Sequence, residues 1–74
     1  MPARLRDIRR VAAEFGIQIE TPSGTSHWKA RRGEIVYTIP AHNGLNAEIT
    51  DVYINALIRC FGLDRRDFWK RLRG

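Results

Sequence analysis

The residues best suited to chemistry in this 74-residue chain are two histidines, His27 and His42, and a cationic run, Lys29, Arg31 and Arg32, that follows the first of them. Histidine exchanges a proton near neutral pH, so it can serve first as a base and then as an acid. An ammonium holds phosphate oxygens as a point charge, and a guanidinium holds them as a fork. An imidazole beside such cations could grip a phosphodiester and move a proton next to it. His27 is therefore a candidate catalytic residue, although an exposed strand face is polar in any case and the same pattern also fits a solvated histidine among charged neighbours. Lys29, Arg31, Arg32 and His42 are the candidate RNA- or phosphate-binding residues. The chemistry needs the spacing of a strand. With a two-residue repeat, His27, Lys29 and Arg31 share one face at intervals of roughly 6.5–7 Å, while Trp28 and Ala30 take the other.

Other reactive residues carry less. His42 stands two residues past Pro40, in a turn, where a turn-stabilising hydrogen bond is equally open to it. Cys60 lies beside Phe61 in a helical stretch with no activating neighbour, and reads as structural. One Cys and two His exclude a disulfide framework and a multi-cysteine zinc site. There is no Gly-rich phosphate loop, HExxH helix or Ser-His-Asp pattern. Neither a metal nor a small-molecule cofactor is expected.

Composition points to the partner. Thirteen Lys and Arg against 8 Asp and Glu leave a net charge of +5, and a small basic domain suits a polyanion. The charge is segregated, with no Lys or Arg between Ile35 and Ile58. A 74-residue chain with 43% hydrophobic content folds as one domain, 1–74, whose thin core leaves its chemistry on an open face. No apolar run approaches the ~18 residues of a membrane span. The charged first ten residues hold no signal-type apolar block, and neither end carries a lipidation signature. A cytoplasmic protein without a membrane partner is expected.

The elements that must position His27 follow from periodicity. Leu5, Ile8, Val11, Ala12 and Phe15 form one helical stripe, stopped by Gly16, so the first helix spans about Arg4 to Phe15. Ile17 and Ile19 alternate with polar residues as a strand, ended by Pro22-Ser23-Gly24. Ser26 to Arg31 is a second strand with Trp28 turned inward. Arg32-Gly33 reverses the chain, and Ile35 to Ile39 is a third strand closed by Pro40. Tyr37 shares a side with Ile35 and Ile39 and reads as core. Ala41 to Ile49 is a loop. Thr50 caps a second helix with the stripe Ile54, Leu57, Ile58 and Phe61. Asp64 caps a last short helix whose apolar contacts are Phe68, Trp69 and Leu72. The fold class is α+β: a three-stranded antiparallel sheet with helices on one face and the other face open to solvent.

Gly24-Thr25-Ser26-His27-Trp28-Lys29 resembles the Gly-Ser-His-type motif that opens the second strand of HicA (YcfA-like) toxins. The strand Tyr37-Thr38-Ile39-Pro40, then His42, and the closing helix from Ile54 to Leu63 are similar to the family's later motifs. The Asp67-Phe68-Trp69 stretch is similar to extensions of some members. Thr25 stands where many members have Gly, and Trp28 where a second His is frequent. The resemblance implies an α-β-β-β-α fold like a double-stranded-RNA-binding domain. It also implies an mRNA interferase (an endoribonuclease that cleaves mRNA and arrests translation), with His27 as its catalytic residue, and a HicB-like antitoxin partner. Such an enzyme would be metal-independent. The alternatives are a non-catalytic RNA- or DNA-binding module of the same fold, and an inactive toxin homologue or interaction domain that docks an acidic protein.

Overall fold

Apolar stripes and glycine stops set the helices. A computed structural model describes residues 2–20, 27–41 and 44–74. The first helix, α1 (Leu5–Glu14), buries Leu5, Ile8, Val11 and Ala12. Two reciprocal bonds close it, Ile17 N–H to the Ala12 carbonyl at 3.0 Å and Gly16 N–H to the Ala13 carbonyl at 3.1 Å. That closure needs a left-handed residue, and Gly16 supplies it at φ +76°. The second helix, α2 (Asp51–Cys60), buries Ile54, Leu57 and Ile58. It ends in the same way, with Leu63 bonded to Ile58 and Gly62 to Arg59, and Gly62 at φ +65°.

Three strands follow α1: β2 (Gln18–Glu20), β3 (His27–Arg32) and β4 (Ile35–Pro40). They form an antiparallel sheet in the order β2-β3-β4. Ile19 pairs with Ala30, and Ala30 with Tyr37, while Trp28 faces Ile39. These residues form the sheet's inner side, covered by α1 and α2. Ile19, Ala30 and Ile39 are buried in the same cluster as the helix stripes. The other side of the sheet is open, so the α+β class with helices on one face holds.

The structure adds to the expected elements and amends some of them. Strand β1 (Ala3–Arg4) pairs antiparallel with β5 (Glu48–Ile49), Ala3 against Ile49 and Arg4 against Glu48. Arg4 thus lies ahead of the helix, and the expected loop from Ala41 to Ile49 contains a 3-10 turn (Gly44–Asn46) and a strand. Trp28 and Tyr37 are half-buried against the core's edge. Ile35, on their side, stays 42% exposed because it sits at the sheet's corner. Cys60, expected as a structural residue, is exposed on α2.

The last helix, α3 (Arg65–Arg73), is capped by Asp64, whose Oδ1 accepts the Asp67 N–H at 2.9 Å. It is part of the core. Phe68 is fully buried and stacks on Phe15 with ring centres 5.8 Å apart. Trp69 Nε1 donates to Asn55 Oδ1 at 2.9 Å, and Arg71 bridges Asp67 and Glu14, tying α3 to α2 and α1.

Candidate nucleic-acid interface

Strand β3 sorts its residues by parity. Trp28, Ala30 and Arg32 turn toward the helices, and His27, Lys29 and Arg31 turn to the open face. The pairing register adds neighbours to that face. Gln18 and Val36 flank Arg31, Glu20 and Thr38 flank Lys29, and Pro40 lies beside His27. The expected grouping of one imidazole and two cations on a single wet face is therefore present. His27 and Arg31 are exposed and Lys29 is half-exposed.

Each group is held differently. Lys29 Nζ donates to Thr38 Oγ1 at 2.8 Å, which fixes the ammonium over the sheet. An ammonium has three donors, so two remain for a ligand. The Arg31 side chain makes no hydrogen bond or ion pair among the described residues. His27 is the first residue of β3, at the sheet's end. His42 lies outside the described residues, as do Gly24, Thr25 and Ser26 of the motif before His27.

Arg32 does not belong to this group. It follows Arg31 by one residue, and one step along a strand reverses the face. Its guanidinium donates to the Phe61 carbonyl at 2.7 Å and the Phe15 carbonyl at 3.3 Å, and lies 5.6 Å from the Phe61 ring centre. Phe15 and Phe61 are the C-caps of α1 and α2. Both helices thus end their negative poles on one cation. The expectation that Arg32 binds phosphate is corrected: its side chain fastens two helices behind the sheet.

Residue types alone pass over Thr38, Glu20 and Gln18, which line the open face. Their signal is the alternation of β2 and β4 once the register is known. A second cationic concentration lies elsewhere. Arg4, Arg6, Arg65, Arg66 and Arg73 line a groove of about 730 Å³ with Trp69 in its wall, and Asp7, Glu48 and Asp51 stand among them. Among the described residues, no three His, Cys, Asp or Glu side chains are grouped to hold a metal ion. No helix there is long and apolar enough to cross a membrane. No family model, curated protein or solved structure matches the chain.

Proposed function

We propose that this chain is the toxin of a type II toxin–antitoxin pair, of the HicA kind, with a double-stranded-RNA-binding-domain-like fold. It acts as a metal-independent endoribonuclease on mRNA, and a HicB-like antitoxin covers its open face. The reading rests on one observation above the others: His27, Lys29 and Arg31 stand on the same solvent face of one strand. The element order α1-β2-β3-β4-α2 and the motif around His27 support it.

In the proposed reaction Lys29 and Arg31 position the phosphodiester, with Thr38 orienting Lys29. The ribose 2′-oxygen attacks the adjacent phosphorus as its proton passes to the His27 imidazole. The bond to the departing 5′-oxygen breaks, and that oxygen takes the proton from the imidazolium. The products are a 2′,3′-cyclic phosphate and a 5′-hydroxyl, and the histidine is restored. The two cations stabilise charge that grows on the phosphate during attack.

General acid–base catalysis contributes on the order of 10²–10⁴-fold. His27→Ala should therefore keep the wild-type circular dichroism spectrum and cut RNA slower by about that factor. Induction of the variant should no longer arrest growth. Cleavage by purified His27→Ala at the wild-type rate refutes the assignment. Loss of wild-type activity in chelator, restored by a divalent ion, refutes metal independence. A protein that binds RNA with a steep salt slope and leaves it uncut is the non-catalytic module instead.

A further inference from the structure

We propose that β4 is a self-association edge: two copies of this chain pair their β4 strands antiparallel and continue one sheet across a two-fold axis. The inference is independent of the nuclease reading. Strand β4 is the outer strand of β2-β3-β4, and among the described residues nothing pairs with its other side. Alternate residues of an edge strand present unpaired N–H and C=O groups, a template for another strand. Proteins ordinarily blunt such edges with charge, proline or a bulge. Ile35 to Ile39 carries no charge and no proline, and its residues are β-branched or aromatic. Proline enters only at the strand's last position, Pro40.

The surface beside the edge is apolar as well. Ile35 and Val36 are 42% and 41% exposed, and Tyr53 on α2 is 43% exposed. Tyr37 OH reaches the Tyr53 carbonyl at 3.3 Å, which places α2 along the inner side of this edge. An incoming strand would lay its inward side chains beside Ile35 and Tyr53, and its outward ones beside Val36 on the open face.

Charge selects the occupant. The chain carries +5, so two copies repel across most of their surfaces. The stretch from Ile35 to Ile58 has no Lys or Arg, and β4 lies inside it. Two copies can meet there without opposing cations. A polyanion finds no cation on that strand. Strand geometry also limits the register: paired residues point to the same side, so Ile35 of one copy lies beside Ile35, Tyr37 or Ile39 of the other and never beside Val36 or Thr38. A two-fold axis normal to the sheet puts both open faces on the same side. The two β3 strands are then three strand spacings apart, about 14 Å. A stable pair must bury about 600 Å² from each copy, roughly an eighth of the 4826 Å² that one copy exposes.

The test is sedimentation equilibrium of the full chain, with light scattering as a check, from micromolar to millimolar protein. The wild type should move from 8.6 kDa toward twice that mass, with a dissociation constant in the micromolar range. Ile35→Lys and Val36→Lys each place a charge on the edge and should shift that constant upward at least 30-fold with unchanged circular dichroism. Val52→Lys, on the solvent side of α2, should leave it unchanged. A wild type that stays at 8.6 kDa to millimolar concentration overturns the proposal, even where a partner's strand occupies the edge instead. Undiminished association of folded Ile35→Lys and Val36→Lys overturns it too. If one lysine variant fails to fold, the other decides.

Discussion

Replacing Arg32 by alanine should destabilise the fold while leaving the open face intact. Arg32 makes a 2.7 Å bond to the Phe61 carbonyl and a longer 3.3 Å bond to the Phe15 carbonyl. Hydrogen bonds to a charged group contribute about 1.5–3 kcal/mol. The short bond falls in that range. The longer one adds less, and water reaches the half-buried site to recover part of both. The guanidinium also lies over the Phe61 ring, 5.6 Å from its centre. The net loss is about 2–3 kcal/mol, against a total stability of roughly 4–11 kcal/mol for 74 residues. At 4–8 °C per kcal/mol, the midpoint should fall by about 10–20 °C.

Arg31 is the matched control. It is adjacent in sequence, chemically identical and on the opposite face, so Arg31→Ala should stay within about 0.5 kcal/mol of wild type. Urea and thermal denaturation followed by circular dichroism would measure both. RNA affinity by filter binding at several salt concentrations should show the reverse order: Arg31→Ala weakens binding and lowers the salt slope by about one, and Arg32→Ala, below its midpoint, does neither. Arg32→Lys should recover less than half of the lost stability, because a single nitrogen cannot occupy the two separate positions from which the guanidinium reaches the Phe15 and Phe61 carbonyls. Equal stability losses for Arg31→Ala and Arg32→Ala would refute the assignment of faces.

Phe68→Ala should cost about 3–5 kcal/mol, because Phe68 is fully buried against Phe15; a urea-derived loss under 1.5 kcal/mol would show α3 to be an appendage. Asp64→Ala should cost about 1 kcal/mol. Thr50→Ala should cost clearly less, since the Asp64 carboxylate caps its helix and the Thr50 hydroxyl makes no such bond; equal losses would contradict the cap geometry. Burial, then the neighbouring Tyr53 and Cys60, raise the Tyr37 phenol above its ordinary 10.0. A raised folded value means that the unfolded chain loses its proton first. The stabilising contribution is therefore complete below pH 10 and disappears as pH climbs through the folded value. Tyr37→Phe should show a shallower alkaline decline in urea midpoints above pH 10, and an unchanged slope would count against it.

What could be read in advance depended on how many residues repeat a pattern. Leu5, Ile8, Val11 and Ala12 recur at helical spacing over two turns, and Gly16 marks their end, so α1 is legible within a residue or so. The six residues of β3 alternate long enough to assign His27, Lys29 and Arg31 to one face. Strands β1 and β5 have two residues each. Nothing periodic exists at that length, and their pairing depends on Ala3 and Ile49 being brought together by the rest of the chain. Arg32 is a different case. The alternation that turns Trp28 and Ala30 inward also turns Arg32 inward, so the signal was present. Treating Arg32-Gly33 as a turn detaches Arg32 from that count. Cys60 likewise lies about 120° around α2 from Ile54, outside the buried stripe. Covering Tyr37 and Ile35 only in part is a tertiary matter, since it depends on where α2 stops along the edge of β4.

The consequence for β3 is a separation of fold and function at single-residue resolution. Even-numbered positions Trp28, Ala30 and Arg32 join the sheet to the helices, and odd-numbered positions His27, Lys29 and Arg31 meet solvent. A substitution on one side changes little on the other, because a strand transmits almost nothing through its own thickness except by register. Register is therefore the shared vulnerability. A one-residue slip of β3 would bury His27, Lys29 and Arg31 among aliphatic side chains and push Trp28 into water, and would place Arg32 away from both helix ends. Burying Lys29 and Arg31 unpaired is far costlier than any single contact on the strand. The charges proposed to hold substrate thus also forbid the wrong register, which gives the open face a role in specifying the fold without stabilising it directly.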